Sequence, residues 1–320
     1  MAQAAETLKV GYIPVLGSSQ LFVIDGEGWA RQAGLDLQLV RFQAGTQAIQ
    51  ALSSGKIDVY VAGVLPLLVA RSKGVDVKVV AAAAVEELEI VARGPLAAGL
   101  PSAGADPAQV KTLIRDFTAS QGHKPKIAAQ PLGSVPDTLL RFWLQKDLGV
   151  DPAAADITAI DIDAAQQAFL SGAVDAAVLR EPALTVVRDR VPEARLLATG
   201  TQILDHQPGS VLAVYNPDQA DRKIWVRTLV SLFVRATDLI NDKPKEAAPF
   251  ITAALAGGIL KQDTIERALA SSGSHFISDP AVLVEPVRQL QDFEVAAGIL
   301  RNPAPVETLF DLEPYASLKP

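Results

Sequence analysis

The chain has 320 residues, 49% of them apolar and 20% charged, a size and composition suited to two cored lobes. The net charge of −7 argues against a general nucleic-acid binder, because neutralising phosphate takes a basic surface. The lack of cysteine excludes disulfides, thiolate nucleophiles and Cys-held metals, and no apolar run reaches the roughly 18 residues of a membrane span.

The opening MAQAAETLKVGY carries neither the basic nor the apolar region of a signal peptide, but AQA at 2–4 is the small-residue pattern found beside a signal cleavage site. A mature exported chain behind an initiator Met would read this way. From there, apolar strands alternate with helical patterns. Strands are expected at 8–13, 37–42, 57–62 and 75–83, and helices at 20–33, 45–54 and 65–72. The apolar run 77–92 is cut by Glu86, Glu87 and Glu89. The Gly- and Pro-rich stretch 93–107 reads as a connection. The pattern then restarts, with strands at 125–129, 157–162 and 174–179 and helices at 136–148, 164–171 and 182–190. Alternation of this length predicts right-handed βαβ units around parallel sheets. A strand at 210–216 leads into helices only, at 218–241, 244–255, 261–271 and 280–297, with Gly257-Gly258 ending one of them.

The second run copies the first. KVGYIPVLGSSQ from Lys9 is echoed by KIAAQPLGSVPD from Lys126, 117 residues later (126 − 9). Gly55 and Gly172, and Asp58 and Asp175, stand at the same offset, while Pro66 and Pro182 are one residue closer. A duplication at this length predicts two homologous lobes, each a small doubly wound unit. In an open parallel sheet, ligands bind beyond the carboxyl ends of the strands, where both Leu-Gly-Ser loops fall. Glycine lets backbone approach a ligand there, and serine with free helix N–H groups can hold an oxyanion. The cleft between the lobes is therefore the expected site.

Catalytic patterns are sparse. The three histidines, His123, His206 and His275, have no partner at metal-ligand spacing. There is no Walker loop, no GxSxG elbow, and the first glycine loop lacks GxGxxG spacing. No catalytic residue, cofactor or metal is expected.

The whole chain resembles the periplasmic substrate-binding proteins of ABC importers, of the alkanesulfonate, taurine and nitrate type whose fold thiamine-precursor binders share. The resemblance rests on LKVGYIP, FQAGTQAIQALSSGKIDV (42–59), DAAQQAFLSGAVDAAVLREPAL (163–184), LVSLFVRATDLINDKPKEAAPFITAAL (229–255), and the tail from 283 to 315. It implies an α/β, two-lobed type II periplasmic-binding fold, with lobe 1 at 1–93 and 209–320 and lobe 2 at 94–208. Each lobe would be a small doubly wound sheet, joined by crossing strands near 92–95 and 207–210, with the helical C-terminal tail packed on lobe 1.

By the same resemblance, ligand contacts would come from Gly17, Ser18, Ser19 and Gln20, from Gly45, Thr46 and Gln47, and from Gly63 and Val64 in lobe 1. Lobe 2 would add Leu132, Gly133, Ser134 and Val135, then Arg180 and Glu181. Related sulfonate binders often carry an aromatic where Arg180 stands. Arginine there could pair with a carboxylate or sulfonate and Glu181 with an ammonium, or the two could pair with each other or face solvent. The implied function is capture of a small organic anion by hinge closure in the periplasm, by a monomer that delivers to an inner-membrane ABC permease. An alkanesulfonate or taurine-like ligand ranks first, an aromatic carboxylate or sulfonate second, nitrate third. The alternatives are a pyrimidine binder and a two-lobed enzyme of thiamine-pyrimidine or menaquinone synthesis; the lack of cysteine argues against the former enzyme, the long helical tail against the latter.

Overall fold

The computed structural model describes residues 5–101, 104–255 and 260–318. The AQA segment and the Gly257-Gly258 helix end lie outside them. The strands are β1 (Glu6–Tyr12), β2 (Leu35–Arg41), β3 (Val59–Gly63), β4 (Val77–Ala82), β5 (Ala84–Val85), β6 (Glu89–Ala92), β7 (Lys126–Ala129), β8 (Asp156–Ala159), β9 (Ala176–Leu179), β10 (Arg195–Ala198), β11 (Ser210–Tyr215) and β12 (His275–Phe276).

Two five-stranded sheets result, ordered β2-β1-β3-β11-β4 and β10-β6-β9-β7-β8, with β5 and β12 as a separate pair. Read from the other edge, the second sheet is β8-β7-β9-β6-β10, the same topology as the first. In each sheet the first three strands are parallel, and the fourth enters antiparallel from the opposite lobe. The duplication is therefore real, and its repeated side chains do the same work twice. The Asp58 carboxylate accepts from the Lys9 backbone N–H at 3.1 Å, and Asp175 accepts from that of Lys126 at 2.8 Å. Gly55 and Gly172 end equivalent helices in left-handed conformation, at φ 70° and 77°, which a side chain would oppose.

Within the two five-stranded sheets the expectation of parallel pairing fails only at the crossing strands β6 and β11, while the antiparallel pair of β5 and β12 puts a short strand where helices only were expected. The first crossing also comes earlier than 92–95: the chain leaves the first sheet after Ala82 and joins the second at Glu89. Residues 83–88 and 199–209 therefore form the connections. They are tied together by Gln207, whose amide donates to the Leu88 carbonyl and accepts from the Leu88 N–H.

One long element was unexpected. Residues Pro107–Gln121 form a helix, started by Asp106 accepting from the Ala108 N–H and ended at Gly122 in left-handed conformation. It buries Val110, Ile114 and Phe117, a helical stripe. The C-terminal helices pack on the first sheet, with Ala220–Asp242 against Ser19–Gly26, burying Trp225, Phe233 and Ile251 with Phe22 and Leu229. Two of them also reach lobe 2, Gln262–Leu269 touching Ala183–Arg190 and Val284–Ala296 touching Val135–Phe142.

Candidate functional site

The two lobes meet along the carboxyl ends of β1, β3, β7 and β9. The Leu16 N–H in lobe 1 donates to the Glu181 carbonyl of lobe 2 at 3.0 Å. At one lip Arg41 and Gln43 both reach Asp163, at 2.9 and 3.2 Å. On the other flank Thr138 donates its hydroxyl to Glu294 at 2.7 Å. Arg267 forms a bidentate pair with Asp189, at 2.7 and 2.8 Å, where the C-terminal helices meet lobe 2.

Between these contacts lie two small interlobe cavities. The inner one, about 10 Å³, is lined by Ile13, Gly45, Gly63 and Pro66 from lobe 1 and by Gln130, Ser134, Val135, Pro136 and Arg180 from lobe 2. Such a volume has room for roughly one water. The outer one, about 80 Å³, opens between Pro14, Val15 and Arg41 on one side and Gln130, Asp163, Gln166, Arg180 and Glu181 on the other. Arg180 and Gln130 line both. The helices Gly45–Ser53 and Val135–Phe142 begin at the inner cavity, so their N-terminal peptide dipoles face it from opposite lobes.

Arg180 is 4% exposed and donates from Nη1 to the Glu87 carboxylate at 2.7 Å. Its Nε is buried without a hydrogen-bond partner. The same Glu87 oxygen accepts from the Ser210 hydroxyl at 2.8 Å. Glu87 lies on the first connection and Ser210 opens β11 after the second, so both crossings hold the carboxylate facing Arg180. Arg180 and Glu181 neither pair with each other nor face solvent. Glu181 lines the outer cavity but not the inner one; its carboxylate accepts from the Thr185 N–H at 2.9 Å and lies 3.7 Å from Arg188.

Of the residues singled out by sequence, Gly45, Gly63, Ser134, Val135 and Arg180 come together around the inner cavity. Gly63 lies so close to Val135 that a Cβ on it would stand 2.7 Å from the valine Cγ2. The Ser134 hydroxyl also caps its own helix, accepting from the Asp137 N–H at 3.4 Å. The first loop is used differently. Ser18 donates to the Ile13 carbonyl, Gln20 donates to the Ala83 carbonyl and Thr237, and the buried Ser19 hydroxyl has no partner. Gly17 has no room for a side chain because the Glu87 carboxylate and the Ser210 hydroxyl stand 2.4 and 2.3 Å from where its Cβ would be. Val64 is core, Thr46 is half-buried, and Gln47 accepts from the Gln43 N–H. Leu132 is 59% exposed, and Gly133 faces Ile299 of the tail.

Sequence reasoning missed Glu87, Ser210, Tyr60 and Gln130. The acids breaking the apolar run 77–92 were a usable signal, since a carboxylate in such a run is buried and must find a partner. Tyr60 lies under the site, donating to the Gly63 carbonyl at 2.7 Å, and burial pushes its phenol far up against the opposing pull of Arg180. Burial also raises Glu89 and Glu181, with the Arg188 guanidinium between them pulling the other way. Glu294 is pushed up to about 7, chiefly by burial, with the Asp137 charge adding to the rise and the Thr138 hydroxyl opposing it. Among the described residues, no group of three or more His, Asp or Glu side chains is placed to hold a metal ion.

Two lobes of identical topology, crossed twice by the chain and closing on a small shared cavity at their strand ends, define the two-lobed periplasmic-binding fold. A family model described as the NMT1-like family matches residues 2–256, and the chain belongs to that family. Three solved structures share the fold over nearly the whole chain. The nitrate-binding protein NrtA from Synechocystis PCC 6803 is 15% identical with a TM-score of 0.81, covering 98% of this chain and 88% of its own. The ligand-binding component of an ABC-type import system from Staphylococcus aureus, solved with zinc bound, is 16% identical with a TM-score of 0.78, covering 98% and 99%. The alkanesulfonate-binding protein SsuA from Xanthomonas axonopodis pv. citri, bound to MOPS, is 20% identical with a TM-score of 0.76, covering 97% and 100%. No protein with a curated description matches the sequence.

Proposed function

We propose that the protein is the solute-binding component of an ABC importer, capturing a small organic anion between its lobes and delivering it from the periplasm to an inner-membrane permease. The observation that carries this reading is the inner cavity. Both lobes contribute to it, two helices begin at it, and Arg180, whose buried Nε has no partner, lines it. Buried donors without acceptors are costly, and an oxyanion satisfies them. Residues from both lobes around one head group would favour the closed form, which is how a ligand drives hinge closure. Entry of anything larger than a water requires the lobes to part about residues 83–88 and 199–209. The family and the neighbouring folds named above support a binding role over an enzymatic one. An alkanesulfonate or taurine-like ligand is the first choice, because the walls are small residues and prolines rather than stacked rings.

A thermal-shift screen of sulfonates, carboxylates, nitrate and pyrimidines tests the reading, since a ligand that binds only the native state raises the melting temperature. A hit confined to anions supports it. A hit that is turned over, with product detected, refutes it.

A further inference from the structure

Arg180 and Glu87 form a neutral pair, both nearly fully buried at 4% and 3% exposure. The pair is fixed in place. Glu87 accepts from Ser210 as well as from Arg180, and glycines stand where side chains would strike it. A Cβ on Gly17 would lie 2.4 Å from its carboxylate, and one on Gly209 would lie 2.8 Å away. The absent side chains leave the carboxylate its place there, and its bonds to Ser210 and Arg180 hold it. At the outer cavity Arg41 and Asp163 likewise cancel one another. Asp137, in the first turn of the helix Val135–Phe142, is answered by Arg141 at 3.0 Å. What remains at the inner cavity is the peptide dipole of two helix N-termini, each equivalent to about half a positive charge. Together they match one negative charge, and a second would be buried without compensation.

We propose that Glu87 is a specificity determinant: by neutralising Arg180 from the hinge side, it limits the closed cleft to head groups with at most one negative charge and excludes doubly charged oxyanions. This rests on the solute-binding reading above. The unpartnered Arg180 Nε, on a side chain more than nine-tenths buried at the same cavity, is the donor such a head group would meet. Glu87 then acts through Arg180 rather than by touching ligand.

The test is calorimetric titration at pH 7 with two probes, methanesulfonate as the monoanion and sulfate as the dianion of similar shape. Wild-type protein is expected to bind methanesulfonate at least about tenfold more tightly than sulfate. Glu87→Gln should shift that ratio toward sulfate by about tenfold or more, whereas Glu87→Asp, which keeps the charge, should leave it near the wild-type value. A merely structural role would weaken both probes alike and leave the ratio unmoved. An unchanged ratio in Glu87→Gln protein that melts cooperatively overturns the proposal alone. So does equal affinity of the wild type for the two anions, a readout that holds even if the variant does not fold. Wild-type protein that binds neither probe overturns the proposal, and the small-anion reading falls with it when the screen above also finds no anion that binds.

Discussion

Glu294 offers a perturbation whose size and sign follow from its surroundings. It is 0% exposed on the helix Val284–Ala296 of lobe 1, and its one hydrogen bond comes from Thr138 of lobe 2. Its second oxygen is buried with no partner. The facing helix brings Asp137, whose charge is answered by Arg141 at 3.0 Å, and Phe142 stacks edge-on with Phe293. Burial therefore raises the carboxyl from 4.5 to about 7. The sign runs against the usual carboxylate. Below about pH 4.5 both folded and unfolded chains hold the proton, and the group is neutral for stability. As pH rises from there to about 7, only the unfolded chain releases it, so stability is lost, and above that the loss is constant.

At 1.36 kcal/mol per unit, the loss amounts to about 3 kcal/mol. For a chain this long the unfolding entropy is about 0.7 kcal/mol per kelvin, so the full effect is roughly 4–5 °C in melting temperature. Glu294→Gln keeps the shape and an acceptor for Thr138 while removing the charge. Its melting temperature relative to wild type should rise between pH 5 and pH 8 by several degrees. Melting curves for both proteins across that range measure it. A wild-type-to-variant difference that stays constant with pH refutes the reasoning.

Gly63→Ala should weaken ligand binding without unfolding lobe 1, because its new methyl meets Val135 across the cleft at 2.7 Å and the lobes can yield; calorimetry should show recovery on adding Val135→Ala. Ser134→Ala should lower stability by about 1 kcal/mol through the lost cap and weaken binding about tenfold, read by melting and titration of one variant; an unchanged dissociation constant would leave only the capping role. Gly200→Ala should destabilise markedly, since its Cβ would lie 2.2 Å from the Glu86 carbonyl oxygen in the crossing segment, where backbone cannot give easily; an unaltered melting curve counts against it. Arg267→Ala should change stability by no more than about 1 kcal/mol despite its bidentate geometry, because both partners are half exposed and water screens the pair; denaturant titration reads the difference.

Local pattern determined much of this molecule. Alternation of apolar runs with helical stripes marks eight of the strands, and the repeated Lys, Gly and Asp positions announce two lobes because each repeated residue closes the same backbone contact in its own sheet. The helix Pro107–Gln121 was also written there, in Asp106-Pro107 at its start and Gly122 at its end. The short strands β6 and β10 were not, since four residues buried against neighbours distant in sequence carry no periodicity of their own. The site divides in the same way. Gly45, Gly63, Ser134 and Arg180 could be placed near a cleft because they follow strands, and position after a strand is a local property. Which of two adjacent charges faces the cavity is not local. Arg180 reaches the inner cavity because Glu87 meets it from 93 residues away, whereas Glu181 is held off it by Thr185 and Arg188. Ser18 and Ser134, alike in sequence, part company because Ile13 offers the first a carbonyl and the second caps its helix beside the other lobe. Partners for buried charge are chosen by the packing of whole lobes, and only the tertiary structure brings those partners within reach.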